Sequence, residues 1–166
     1  TPSFDPTPSF DPWLAETRAG LIVDFALLAE AEADSALVIP AVERMRKQMK
    51  LDLAQVWGDR GLFSQKNEKA LTKRNIKSGL CPRDPVELQN RLQGDDGFRA
   101  GLRRRGGTEA RIAIFKHAFV GSPCRAKGIA ARQLAVSWAV LAHNLWVLAR
   151  LKLAQDRAAA PAAKAA

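Results

Sequence analysis

Residues 53–82 read LAQVWGDRGLFSQKNEKALTKRNIKSGLCP, and this stretch decides the fold class. "LAQVWGD" is a short strand that ends in the turn "GDRG". Ser64 then stands where a helix N-cap belongs, which predicts a helix through about Asn75. "IKSGLCP" (76–82) follows as another short strand. Alternation of strand and helix on this scale points to a mixed α/β domain. Asp59 falls at the C-terminal end of the predicted strand, where open α/β sheets place their chemistry.

The pattern extends in both directions. Upstream, "GLIVDFALLA" (20–29) is aliphatic enough for a strand, and residues 40–50 place Val42, Met45 and Met49 at helical spacing. Downstream, "DPVE" (84–87) offers a capping Asp, a first-turn Pro and a Glu three residues after the cap, so another helix begins there. Asp95 and Asp96, in "GDDGF", read as a loop. The pattern is helical again from Thr108 to about Phe119, with Glu109 in the first turn and Gly106 and Gly107 as a break before it. A Gly-Ser-Pro turn at 121–123 leads to a long final helix from about Gly128 to Leu153. There Trp138, Leu141, Leu145 and Leu148 form a stripe expected to lie in the core, as does Trp57. Strands come early and helices late, so an open sheet covered by helices is expected.

Length and composition bound the possibilities. The chain has 166 residues, 47% hydrophobic and 26% charged, which are values of one globular domain. Its net charge of +9 attracts polyanions, most commonly nucleic acid, or an anionic membrane surface, and composition alone leaves those two undecided. Cys81 and Cys124 lack metal or redox spacing, and reduced structural thiols are expected. His117 and His143 likewise lack metal-like spacing and are read as structural. The apolar run 133–149 contains His143 and Asn144 and is flanked by Arg132 and Arg150, which fits a buried amphipathic helix rather than a membrane span. No leader pattern opens the chain. "TPSFDP" occurs twice over residues 1–12 and reads, with the residues to 19, as a disordered or extended tail, and the Ala-rich residues 154–166 as a fraying one.

Glu109 is the one acid in residues 103–119, "RRRGGTEARIAIFKHAF", among Arg103, Arg104, Arg105, Arg111 and Lys116. Glu109 and Lys116 are seven apart and share a helix face. This segment, with "ADSALVIPAVER", "GDRGLFSQKNEKAL" and "RQLAVSWAVLAHNLWVLARL", resembles the C-terminal part of the catalytic domain of bacterial insertion-sequence transposases of the Asp-Asp-Glu (DDE) type. The resemblance covers residues 20–152, and Asp59 and Glu109 match the second catalytic Asp and the catalytic Glu. Arg105, Glu109 and Lys116 also fit the spacing of a Tyr-Arg-Glu-Lys signature found in several groups, with Leu102 where the Tyr would be, in a chain that has no tyrosine.

The resemblance implies an RNase H-like mixed sheet flanked by helices, over residues 20–153, truncated at its N-terminus and closed by a long helix. It implies DNA cleavage and joining by two-metal phosphoryl transfer, with Asp59 and Glu109 as ligands of Mg²⁺ (or Mn²⁺). The surrounding cations, Arg103, Arg104, Arg105, Arg111 and Lys116, with Arg125 and Lys127 more distant, would hold transposon-end and target DNA by its phosphates. A bacterial cytoplasmic protein with no membrane partner, working as a homo-oligomer, is the corresponding expectation. The family's first catalytic Asp has no counterpart here: Asp24 matches a later strand, and Asp5 and Asp11 belong to the repeated tail. Two other readings therefore stand beside the enzyme: an inactive DNA-binding remnant of a transposase, and a basic RNA-binding protein. A sheet without its first strand would expose an edge, so marginal solubility or self-association is expected.

Overall fold

The structure is a computed structural model and describes residues 12–27, 33–121 and 124–159. Most of the repeated "TPSFDP" tail, the Ser-Pro of the 121–123 turn and the last residues of the Ala-rich tail lie outside the described residues. The chain is mixed α/β and divides into two compact units. One is Leu28–Ala110, and the other combines Thr1–Leu27 with Arg111–Ala166.

The unit Leu28–Ala110 is built on the decisive stretch. Strand β3 (Gln55–Gly58) pairs in parallel with β4 (Lys77–Leu80), in the register Gln55↔Lys77 to Gly58↔Leu80. Helix α2 (Gln65–Thr72) makes the crossover, and the Ser64 hydroxyl accepts the Asn67 N–H at 3.1 Å as its cap. Helix α1 (Asp34–Gln48) precedes them and buries Leu37, Val38, Ala41, Val42 and Met45. It starts six residues before Pro40, where the sequence suggested a beginning; Pro40 is exposed and is accommodated inside the helix. Helix α3 (Pro85–Gly94) opens on Asp84, which accepts the N–H groups of Val86 at 2.7 Å and Glu87 at 3.0 Å.

Helix α4 (Asp96–Ile114) departs furthest from expectation. Residues 95–96 are no idle loop: Asp95 ends α3, its carboxylate accepts the Phe98 N–H at 2.9 Å, and Lys77 pairs with it at 2.7 Å. Lys77 holds the Asp95 carboxyl below its ordinary pKa, helped by the Phe98 N–H. The helix then runs unbroken through Gly106 and Gly107 despite the weak helix propensity of two glycines. Its first half packs on Trp57. Its indole fills the space in front of Gly79 and Gly101: a Cβ on Gly79 would lie 2.3 Å from Trp57 Cε3, and one on Gly101 2.0 Å from Cη2. Phe98, with its ring centroid 5.9 Å from that of Trp57, completes the contact. The ring thus locks α4 against the parallel strand pair.

In the other unit, β1 (Trp13–Glu16) pairs antiparallel with β2 (Ile22–Ala26), with Gly20 at φ 88° in the connecting turn. Residues 13–16 were read as part of the tail; they form a strand because Leu14 packs with Ile22 and Phe25 of β2 on a core of Phe115, Val136 and Ala139. Residues 115–120 continue α4 as one turn of π-helix. Helix α5 (Ile129–Ala159) reaches six residues beyond Leu153, into the segment read as a fraying tail. The Asn144 amide clasps the backbone of Ile22, accepting its N–H at 2.8 Å and donating to its carbonyl at 2.8 Å. His143 is buried, edge-on to Phe115 and Phe119, which agrees with a structural role.

Two further expectations are corrected. In place of one open sheet, the described residues form two two-stranded sheets, one in each unit. And the stripe Trp138, Leu141, Leu145 and Leu148 is not core: these residues are 63%, 47%, 58% and 49% exposed, whereas α5 buries Val136, Ala139, His143 and Val147.

Candidate functional site

The parallel pair β3–β4 ends in two loops, and at its carboxyl end lies an open cleft of about 260 Å³ lined by Arg60, Cys81, Leu88, Leu102, Arg105 and Glu109. Arg60 stands two residues beyond β3 and Cys81 directly follows β4. Crevices outside the carboxyl ends of parallel strands are the usual ligand sites of α/β folds. Cys81 is buried, and Arg60 and Glu109 are exposed at the rim.

The turn after β3 is held from several sides. Asp59 accepts the Leu62 N–H at 3.1 Å through Oδ1 and again through its carbonyl at 3.2 Å. Arg83 donates to the carbonyls of Arg60, at 3.0 Å, and Gly61, at 3.3 Å. From below, the buried Asn67 amide donates to the carbonyls of Ser35 and Leu62 at 2.8 and 2.9 Å, tying the start of α1 to this turn. A second acid therefore approaches Asp59. The point where a Gly61 Cβ would sit is 3.0 Å from Asp34 Oδ2 and 3.2 Å from Asp59 Oδ1, so a side chain there would press on both carboxylates. Sequence reasoning missed Asp34, although a first-turn acid before "SALVIPAVER" was its available signal.

On α4, Glu109 pairs with Arg105 one turn earlier at 2.9 Å. The lone acid of the basic segment thus has a cation of its own helix beside it, and both face the cleft. Arg103 and Arg104 are exposed on the same helix. Glu109 and Arg60, the neighbour of Asp59, line one cleft; Asp59 itself belongs to the turn behind Arg60 and is not part of the lining. Among the described residues, no three His, Cys, Asp or Glu side chains gather as a metal-holding group.

Arg111, Lys116, Arg125 and Lys127 fall in the other unit. Arg111 is engaged there rather than held out to solvent: its guanidinium grips the Glu16 carboxylate of β1, with Nε at 3.0 and 3.1 Å from the two oxygens and Nη2 on Oε1 as well. Glu16 raises the Arg111 pKa further above its ordinary value against the opposing effect of burial. That pairing answers a structural need, because it ties the hairpin to the end of α4, and it leaves less of the charge for a phosphate. Arg125 and Lys127 are exposed in the segment before α5. Helix α5 holds an 18-residue window of mean hydropathy 1.4, only 22% of it buried, so by length and composition it could cross a membrane. The chain matches no family model, no curated protein and no solved structure in the comparisons made with known proteins.

Proposed function

We propose that this chain is the part of an RNase H-like catalytic domain that carries the second Asp and the Glu of a bacterial DDE-type transposase. Asp59 and Glu109 are the site residues of this reading, with Arg60, Arg103, Arg104 and Arg105 gripping DNA phosphates. One observation carries it: Glu109 and Arg105 line the cleft at the carboxyl end of β3–β4 together with Arg60, the residue after Asp59. The sequence resemblance pairs the same two regions. In intact relatives, water attacks a phosphodiester phosphorus and releases a DNA 3′-hydroxyl, which then attacks a target phosphodiester. Asp59 and Glu109 would contribute ligands to Mg²⁺, which when bound would supply Lewis-acid stabilisation of the attacking and leaving oxygens. A cytoplasmic location goes with this activity.

A second reading, binding of DNA without catalysis, is favoured by the donor set: among the described residues no three His, Cys, Asp or Glu side chains gather as a metal-holding group. An assay of Mg²⁺-dependent nicking of transposon-end duplexes by the wild type and Glu109→Gln separates the two. Activity lost in the variant supports the enzyme. Equal residual activity removes Glu109 from the mechanism, and duplex binding without nicking selects the remnant. Tighter binding to structured RNA than to duplex ends, at matched salt, would overturn both.

A further inference from the structure

Helix α5 carries two apolar faces, and its own unit covers only one. At about 100° per residue, Val136, Ala139, His143 and Val147 share the buried side, while Leu134, Trp138, Leu141, Leu145 and Leu148 lie on the opposite side. The second set is 47–63% exposed and advances by alternating steps of four and three residues, the 3.5-residue repeat of a helix seam. Ala135, Ala142 and Ala149 recur every seventh residue along one flank, so another helix can approach closely there. Beyond Leu148 the line of the stripe continues into Lys152, which ends the apolar seam.

We propose that this stripe is the interface between two copies of the chain, paired antiparallel about Leu141. Two observations select a second copy. The repeat asks for a partner helix with the same period, and α5 supplies one that is complementary to itself under twofold symmetry: Leu134 meets Leu148 of the other copy, and Leu141 meets its equivalent. The area is also sufficient, since a half-exposed Leu offers about 100 Å² and Trp138 about 150 Å². The pair would bury on the order of 1,100 Å², above the roughly 1,000 Å² that a specific interface needs. The antiparallel sense follows from charge, because a parallel pair would set Lys152 against its own copy and align the two helix dipoles, whereas the antiparallel pair opposes the dipoles and faces Lys152 towards the alanines at the start of the partner helix. This surface is independent of the cleft and of the function proposed for it.

The test is the mass of the full chain in solution by light scattering at micromolar concentration. The expected result is twice the 18.1 kDa chain mass. Leu141→Glu combined with Leu145→Glu should weaken the pair at least about a hundredfold, since it sets unpaired charges in the seam, and should leave the helical circular dichroism signal of the monomer intact. In a Cys81→Ser, Cys124→Ser background, oxidation should cross-link Leu141→Cys to its copy and leave Leu134→Cys unlinked. A wild-type monomer, a dimer that survives the double Glu variant, or linkage through Leu134→Cys would each overturn the proposal. So would a monomer that floats with neutral lipid vesicles, which would assign the stripe to a membrane.

Discussion

Gly101→Ala gives the sharpest test of how Glu109 is positioned. In the interior of an ordinary helix this change stabilises by about 1 kcal/mol, because alanine loses less backbone entropy. Here the new methyl would begin 2.0 Å from Trp57 Cη2, 2.2 Å from Cζ3 and 2.4 Å from Cζ2, more than 1 Å inside van der Waals contact. The indole has little room to yield, since its other side lies against Gly79. Either α4 lifts away or the ring leaves its rotamer, at an overpacking cost of about 1–3 kcal/mol that outweighs the propensity gain. Trp57→Leu removes the obstacle, so in that background Gly101→Ala should revert to its usual sign and stabilise. Urea unfolding followed by circular dichroism across the four proteins measures the coupling, expected at about 2–3 kcal/mol. Hydrogen exchange at Gln55–Gly58 and Lys77–Leu80 should localise the loss to this strand pair. Stabilisation by Gly101→Ala alone, or additive effects in the double variant, would show that Trp57 does not hold the helix.

Asn144→Leu should cost about 1–3 kcal/mol, because it leaves both the N–H and the carbonyl of Ile22 without their side-chain partner; protection of the β1–β2 amides in hydrogen exchange is the readout. Glu109→Gln should leave stability within about 0.5 kcal/mol of wild type, since its pair with Arg105 is an exposed one, so that any loss of nicking is a loss of chemistry. Replacing Arg103, Arg104 and Arg105 by Ala should flatten the salt dependence of duplex binding by about 0.9 in log–log slope for each phosphate contact removed, measured by titration at several ionic strengths. Asp95 and Glu43 are held below their ordinary pKa by Lys77 and Arg74 respectively. Their contribution is therefore complete above the unfolded-state value near 4 and is lost as pH falls through the lower folded value. Asp95→Asn should reduce the slope of stability against pH on the acid side and leave it unchanged on the basic side.

How much of this was legible in the sequence depended on whether the deciding force is local. Ser64 and Asp84 announced α2 and α3, because a cap is a contact within three residues and the chain carries it wherever it folds. The strands around "QVWG" and "KSGL" were equally plain, and with them the turn that presents Asp59 and Arg60. Helix α4 was not, since its first half looked like a loop with two acids and its middle like a glycine break. What holds its first half is Trp57, more than 40 residues earlier, whose indole lies against the bare faces of Gly79 and Gly101. The approach of Asp34 to Asp59 was hidden for the same reason: it depends on tertiary contacts, among them the hydrogen bonds by which Asn67 ties the start of α1 to the turn.

The misreading of α5 is the most informative of these, because the periodicity was correct and the conclusion drawn from it was not. A helical stripe of large apolar residues shows that some surface must cover it, but not whether that surface belongs to the same folded unit. On α5 two such stripes run on opposite sides, and the one with the smaller side chains, Val136, Ala139 and Val147 beside His143, is the one the unit buries. Size explains the choice. The hairpin and the π-helical turn bring Ile22, Phe115 and Phe119 close to α5, and the ring-on-ring contacts of His143 with both phenylalanines require a helix face without bulk between them. Tryptophan and four leucines could not have entered that space. Their exposure is thus a consequence of how the core is filled, and it leaves α5 with a cohesive second face, whose period and area suit a copy of itself.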